Sequence, residues 1–403
     1  MSSQVLPPPE IPQTVEELSP EWLTQALRAG GFLEAARVVD FETEILGEGE
    51  GFIGQIVRFR LDYDTPQPAA PTSLIAKLPI RLDQNRQVGE VLGAYEREIR
   101  FYTELAERVP IAKPVCFYAA MDPNPLAGRE AEFLDFLDRL PRWLVRFLAP
   151  LGLWLASKSQ RRYVLLLEDL APGRRLGDQL RGCSRDEAAS ALRHIASVHV
   201  AWWQHADLAT LGWAPRVNML SRYAEVVYRK SRRHFDALGA ELSPRFWEFV
   251  EWLEEGGTPL MRRLGEAPFT LLHGDYRLDN MFFEGDGAAA RITVFDWQTL
   301  CRGPAALDVA YFVCGNLREE VAASSADELL RDYHRRLCEG GVEGYAFETF
   351  VRDYRVAILF IAYRIVAGLD MMDFSSERGT ALIRSWLKRI DALLGDDFRE
   401  VVG

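Results

Sequence analysis

Residues 271–298 read LLHGDYRLDNMFFEGDGAAARITVFDWQ. Leu271–His273, Met281–Phe283 and Arg291–Phe295 are short apolar runs with the length and alternation of strands. Between the last two lies Glu284–Ala290, rich in Gly and Asp, which predicts a hairpin turn. Folding that hairpin back carries Asp296 to the side of Asn280, with Asp275 on the loop that enters it. One short stretch thus gathers a carboxylate, an amide and a second carboxylate.

Phosphoryl transfer uses such a set. One carboxylate orients and deprotonates the accepting hydroxyl, while an amide oxygen and a second carboxylate hold the metal ions that neutralise the phosphates. The spacing H-x-D-x-x-x-x-N followed by D-x-x, here His273, Asp275, Asn280 and Asp296, matches the protein-kinase catalytic loop and metal-binding triplet. Two features depart from that pattern. Gly274 stands in place of arginine, and Trp297-Gln298 replace Phe-Gly. Both departures resemble the aminoglycoside phosphotransferase and choline-kinase-like family, the small-molecule branch of the kinase fold. Gly303–Phe312, GPAALDVAYF, is similar to that family's segment after the metal aspartate. The competing account of the stretch is a polar β-hairpin in some other α+β domain.

The resemblance covers residues 40–370 and implies an α+β, protein-kinase-like, two-lobe fold. Residues 1–172 would form an N-lobe of antiparallel sheet plus helix, with a hydrophobic helical insert at 121–160. Residues 173–403 would form a mainly helical C-lobe with catalytic β-hairpins, the metal site and acceptor-binding helices. Under this resemblance Asp275 is the catalytic residue, Asn280 and Asp296 bind Mg2+, and His273 and Asp308 brace the loop. Arg277 is left between a role at the transferred phosphate and a surface salt bridge.

Upstream, Gly49-Glu-Gly51-Phe-Ile-Gly54-Gln-Ile56 has the form of a kinase glycine-rich loop, whose amide N–H groups bind phosphate oxygens. A glycine-rich hairpin without a ligand stays open as an alternative, and Glu48 and Glu50 put negative charge where phosphates would sit. Ser73–Leu78 reads as a strand carrying Lys77, which either snorkels to the surface or, as the resemblance implies, reaches the nucleotide's phosphates. The helix predicted over Val88–Arg108 resembles the family's R-E-x-x-F-Y helix and makes Glu98, rather than Glu96, the partner of Lys77. Glu98 shares a face there with Tyr95, Tyr102 and Leu105. After the buried strand Arg162–Leu167 come Glu168-Asp169-Leu170, the position of the family's hinge. By resemblance, the backbone of Glu168 and Leu170 would meet the adenine edge.

Composition sets bounds. A chain of 403 residues with 48% apolar and 26% charged residues is ordinary for a globular protein and long enough for two cores. Its net charge of −12 excludes a general nucleic-acid binder, which needs a basic face. The five cysteines, an odd number without a C-x-x-C pair, read as reduced thiols of a cytoplasmic protein. The six histidines give no zinc spacing. The start, MSSQVLPPPEIPQ, lacks the pattern of a secretory signal, and no run reaches the ~18 apolar residues of a membrane span.

Further helices are expected at Val15–Ala29 with Thr14 as cap, at Arg185–Ala206 behind a Ser184/Glu187 capping box, and at Ser221–Leu238, Ser243–Arg263, Val321–Glu339, Ala346–Leu369 and Ser375–Leu394. His199 resembles a buried structural histidine of the family. Asp370, Asp373 and Glu377 either line the acceptor site or cap helices. Within the insert, residues 131–156 are apolar and Trp-rich, which suits packing on the N-lobe, a dimer contact, a lid over a lipophilic substrate or a peripheral membrane contact. The expectation is an ATP- and Mg2+-dependent small-molecule kinase, with GTP left open as donor, phosphorylating a hydroxyl of an acceptor with apolar or acyl character. An aminoglycoside-type antibiotic acceptor and a non-catalytic nucleotide-binding scaffold are the alternatives. A protein kinase is disfavoured by His-Gly-Asp, Asp-Trp-Gln and the lack of an A-P-E segment.

Overall fold

A computed structural model describes residues 8–46, 54–79, 86, 89–90, 93–124, 136, 139–141, 143–145, 147–148, 161–219, 221–235, 241–369 and 377–403. Gly49, Gly51, Asp370, Asp373 and most of the 121–160 insert lie outside the described residues. Two compact units divide the chain between Gly173 and Arg174, with Val109–Ala112 and Leu126–Leu151 joining the second. The α+β class expected from the sequence is the one observed.

The first unit is built on a five-stranded antiparallel sheet of β1 (Val38–Leu46), β2 (Gly54–Tyr63), β3 (Ser73–Pro79), β4 (Cys116–Met121) and β5 (Tyr163–Glu168), in the order β1-β2-β3-β5-β4. Strand alternation decides what each face meets. Leu74, Ala76 and Leu78 of β3, with Val164 and Leu166 of β5, join Leu23, Ala26 and Leu27 of α1 (Pro20–Ala29) in one core. The opposite parity, Tyr163, Leu165 and Leu167, meets Ile99, Tyr95 and Tyr102 beyond the other face. Because β5 has strands on both sides and side chains packed on both faces, its continuous apolar run is what the position requires.

Two helix starts differ from the sequence expectation. The Val15–Glu17 turn is separate, and α1 begins at Pro20. There the Ser19 hydroxyl accepts the Trp22 N–H at 3.2 Å, and proline at the first helical position has no amide to satisfy. The helix expected over Val88–Arg108 is not continuous. Gly93 takes φ 64°, outside α-helical geometry, so α2 is Ala94–Arg100, continuing as a π turn at Phe101–Leu105.

The second unit carries α3 (Arg185–Ala201), α4 (Ser221–Phe235) and α5 (Pro244–Glu266). Its short strands are β6 (Arg175–Leu176), β7 (Phe269–Leu272), β8 (Met281–Glu284), β9 (Arg291–Val294) and β10 (Cys301–Pro304). These pair antiparallel, β10 with β7, and β6 with β8 with β9. There follow α6 (Ala306–Asn316), α7 (Glu319–Glu339), α8 (Phe347–Gly368), α9 (Glu377–Leu393) and the short α10 (Phe398–Val402). The Ser184/Glu187 capping box at the start of α3 is present in both directions. Helix α3 ends at Ala201, earlier than expected, and Trp202, outside helical geometry at φ −112° and ψ 10°, is buried. All five cysteines are free thiols, with Cys338 exposed. No helix among the described residues is long and apolar enough to cross a membrane.

Candidate active site

In the second unit the hairpin forms in the expected register, with Met281 opposite Val294 and Glu284 opposite Arg291. Where it closes, the Phe295 N–H donates to the Asn280 carbonyl at 3.1 Å, which ties Asp296 to Asn280 through the backbone. Asn280 ends a 3-10 turn, Leu278–Asn280, and its side-chain amide donates to the Asp275 carbonyl and carboxylate, both at 2.9 Å. Asp296 adopts φ 66°, a left-handed conformation that a non-glycine residue rarely holds outside a constrained site. Gln298 donates to its carboxylate at 3.0 Å.

The two departures from the protein-kinase motif have local causes. Gly274 has φ 80°, and a Cβ there would lie 2.3 Å from the Thr299 carbonyl oxygen, so no side chain fits. Trp297 is fully buried, its ring 4.6 Å from that of His273. The His273 ring donates from Nε2 to the Phe295 carbonyl at 3.0 Å, and its Nδ1 accepts the Asp275 N–H at 3.3 Å. Behind it, Asp308 on α6 accepts the His273 and Gly274 N–H groups at 2.8 and 2.9 Å. His199, fully buried as expected, lies 3.4 Å from the same carboxylate and 2.6 Å from the Tyr333 hydroxyl.

Asp275 stands in a defined electrostatic setting. Burial alone would raise its pKa. The Arg277 guanidinium, 3.1 Å from its Oδ2, together with the Tyr311 hydroxyl, His273 and the Asn280 amide, outweighs burial and holds the carboxyl below its ordinary value of 3.8. Arg277, left open on sequence grounds, is therefore paired with Asp275. Tyr311 is pushed the other way, first by burial and then by the Asp275 charge, so its hydroxyl stays protonated.

In the first unit, the parity that sends Leu74, Ala76 and Leu78 to one core puts Lys77 on the opposite face, towards α2. There its ammonium donates to both Glu98 oxygens at 2.7 and 2.9 Å. Glu96 is also buried, but it is held by Arg161 at 2.9 Å and Asn124 at 2.9 Å. Gly54 opens β2 opposite Pro79. At the end of β5 the Glu168 N–H is donated to the Val115 carbonyl at 2.8 Å, so that amide is not available to a ligand. Asp169 is fixed by Arg58 at 2.9 Å and Ser73 at 3.0 Å, and Leu170 is buried.

Several residues around the catalytic loop escaped sequence reasoning. Tyr311 lies one helical turn beyond Asp308, a spacing that puts both on one face of α6 and was a usable signal. Asn316, at the end of the same helix, accepts the Leu278 N–H at 2.8 Å. Asp279 accepts the Gln179 N–H at 2.8 Å and pairs with Arg378 at 3.3 Å, while Arg364 reaches the Gly274 carbonyl at 3.5 Å. No short motif announces Asn316, Arg364 or Arg378.

Residues 213–341, which contain the whole catalytic loop, Asp296 and Asp308, match the model of the ecdysteroid kinase-like family. The chain is 26% identical over 252 residues to homoserine kinase of Rhodopseudomonas palustris (strain TIE-1), a stretch of 62% of this chain and 64% of that protein. A second R. palustris homoserine kinase, from strain ATCC BAA-98 / CGA009, matches at the same identity and coverage. The alignment thus spans less than two thirds of these curated relatives. Among solved structures, ethanolamine kinase of Plasmodium vivax superposes with TM-score 0.49 and 10% identity, covering 93% of this chain and 87% of that one. A choline/ethanolamine kinase family protein from Mesorhizobium loti superposes with TM-score 0.46 and 15% identity, covering 90% and 91%. The family match agrees with the resemblance to small-molecule kinases carried by the catalytic loop.

Proposed function

We propose that this chain is an ATP- and Mg2+-dependent phosphotransferase that moves a nucleotide's terminal phosphate to a hydroxyl of a small molecule. The observation that carries this reading is the Asp275 carboxylate, held between Asn280 and Arg277 on a loop locked from behind by Asp308. A carboxylate with a depressed pKa is ionised at neutral pH and a weak base. Its work is to accept the acceptor's hydroxyl as a hydrogen bond, align it, and take the proton late, as a loose transition state permits.

The metal donors fit the ion. The Asn280 amide nitrogen is spent on Asp275, which leaves its oxygen as a ligand, and Asp296 supplies a carboxylate. Two hard oxygen donors suit Mg2+, which keeps waters and takes phosphate oxygens for the rest of its shell. When bound, the ion supplies neutralisation of phosphate charge. Lys77, oriented by Glu98, would hold the nucleotide's phosphates, Gly49, Gly51 and Gly54 would cradle them, and the Glu168 carbonyl with the Leu170 backbone would meet the base. Homoserine, the substrate in the name of the matched relatives, carries a hydroxyl, which supports an alcohol as acceptor. An apolar or acyl part of the acceptor is supported by the largely exposed Trp143 and Phe147 of the insert.

Thermal denaturation with ATP or GTP, each with and without Mg2+, tests the nucleotide site. At a hundredfold excess over Kd the folded state gains about 2.7 kcal/mol. A rise in Tm with Mg·ATP in wild type that is lost in Asp296→Ala is the expected result. A shift that ignores the metal, or one that survives in Asp296→Ala, would remove Asp296 from the metal site.

The pH dependence follows from the sign of the Asp275 shift. A carboxylate depressed below 3.8 contributes stability and activity above its unfolded pKa and loses them as pH falls through the folded one. The acid limb of kcat/KM set by Asp275 should therefore lie below about pH 4, leaving a flat profile from about pH 5 to 7. In Arg277→Gln burial is no longer opposed by its strongest counterweight, and the limb should move to higher pH. An unmoved limb in that variant would show that another group sets it.

A further inference from the structure

We propose that Arg364 is a specificity residue that receives an oxyanion carried by the acceptor beside the hydroxyl to be phosphorylated. The inference rests on the phosphotransferase reading above and adds the chemical class of acceptor, an alcohol bearing a carboxylate or phosphate.

Helix α8 is largely buried, but Arg364 is an exposed residue on it. Its Nη1 lies 3.5 Å from the carbonyl oxygen of Gly274, the residue immediately before Asp275. Its charge also acts on Tyr311, the residue whose hydroxyl bears on Asp275. The guanidinium is therefore next to the group that would align the acceptor's hydroxyl. A guanidinium offers five N–H donors, and one long contact to a carbonyl leaves most of them free for a planar oxyanion.

The neighbouring charges sharpen the argument. Arg277 is paired with Asp275, and Arg378 with Asp279 at 3.3 Å and Asp178 at 3.6 Å. Asp308 is committed to the His273 and Gly274 amides. Among the described residues, the carboxylates around the loop are thus taken, Asp296 being assigned to the metal, while Arg364 pairs with none of them. Among the described residues, a cationic head group arriving beside Asp275 would meet a guanidinium, the carboxylates around the loop being already paired or assigned to the metal. An anionic one would gain a charge-assisted, forked hydrogen bond.

Two acceptor pairs that differ by one carboxylate provide the test, with ADP release as the readout. They are 4-hydroxybutyrate against butane-1,4-diol, and L-homoserine against 3-aminopropan-1-ol. Wild type should favour the carboxylate member of each pair in kcat/KM by about ten- to a hundredfold, the range of a hydrogen bond between charged groups. Arg364→Gln should collapse that preference towards unity, chiefly through KM, and Arg364→Lys, which keeps the charge but loses the fork, should fall between. A wild-type preference for the neutral or cationic member would overturn the inference, as would a preference that survives in Arg364→Gln. An equal loss of kcat on both members would assign the arginine to the transferred phosphate instead. If the Mg·ATP shift is present but no carboxylate-bearing alcohol releases ADP, the inference fails while the nucleotide reading stands. If the shift itself is missing, it is the phosphotransferase reading that has failed.

Discussion

Asp275→Ala is expected to lower kcat by at least about a thousandfold, within the range for removing a positioned general base, while the Mg·ATP-induced rise in Tm is retained. The carboxylate accepts from the Asn280 amide and faces Arg277, so the site is arranged around two donors aimed at one anion. Alanine removes the carboxylate from both donors, leaving Asn280 only the backbone carbonyl of residue 275, and leaves the acceptor's hydroxyl without its aligning group. Asp275→Asn would not restore function. Its amide oxygen can stand where Oδ2 does and accept from Asn280 and Arg277, but a neutral amide cannot take the hydroxyl proton. The separation of effects is the diagnostic: the proposed metal ligands, Asn280 and Asp296, are other residues, so nucleotide binding should outlast turnover. Turnover of Asp275→Ala within about tenfold of wild type would end its assignment as the base.

The groupings in each unit that the sequence made legible share one property: they are close in the chain. The hairpin register that joins Asn280 to Asp296 spans a single turn, and the pairing of Lys77 with Glu98 follows from strand parity and the side of one helix. What stayed hidden depends on long-range packing. Arg364 is 90 residues from the Gly274 carbonyl it touches, and Arg378 is 99 residues from Asp279. A helix-period pattern says that such residues lie on a surface, without saying which surface. The glycine of His-Gly-Asp is an intermediate case. Its presence was readable, but its cause, the Thr299 carbonyl 2.3 Å from where a Cβ would be, exists only once β7 and β10 have paired. Helix starts failed for a local reason. Thr14 is as good a cap as Ser19 by residue type, and only Pro20 at the first helical position distinguishes them.

Asp308 offers the second large effect, because it takes two adjacent backbone amides at the start of the loop. Its two oxygens accept adjacent buried amides, those of His273 and Gly274, and one of them also faces His199, which is backed by Tyr333 on α7. The catalytic loop is thereby anchored through one carboxylate to α6 and, through a histidine, to a second helix. Asp308→Ala leaves two buried N–H groups without acceptors, each costing about 1–3 kcal/mol, so a loss of about 2–6 kcal/mol is expected in the unfolding of the second unit. Turnover should fall by at least about a hundredfold, since a loop displaced by even an ångström misaligns the hydroxyl. The graded series separates a brace from a reacting group. Asp308→Asn keeps one acceptor oxygen and should recover part of both stability and turnover. Tyr333→Phe removes only the outer hydrogen bond to His199 and should cost less than either. A brace predicts that stability and kcat fall in the same order across the three variants. Full stability with lost turnover in Asp308→Ala would instead mean that the carboxylate takes part in the chemistry.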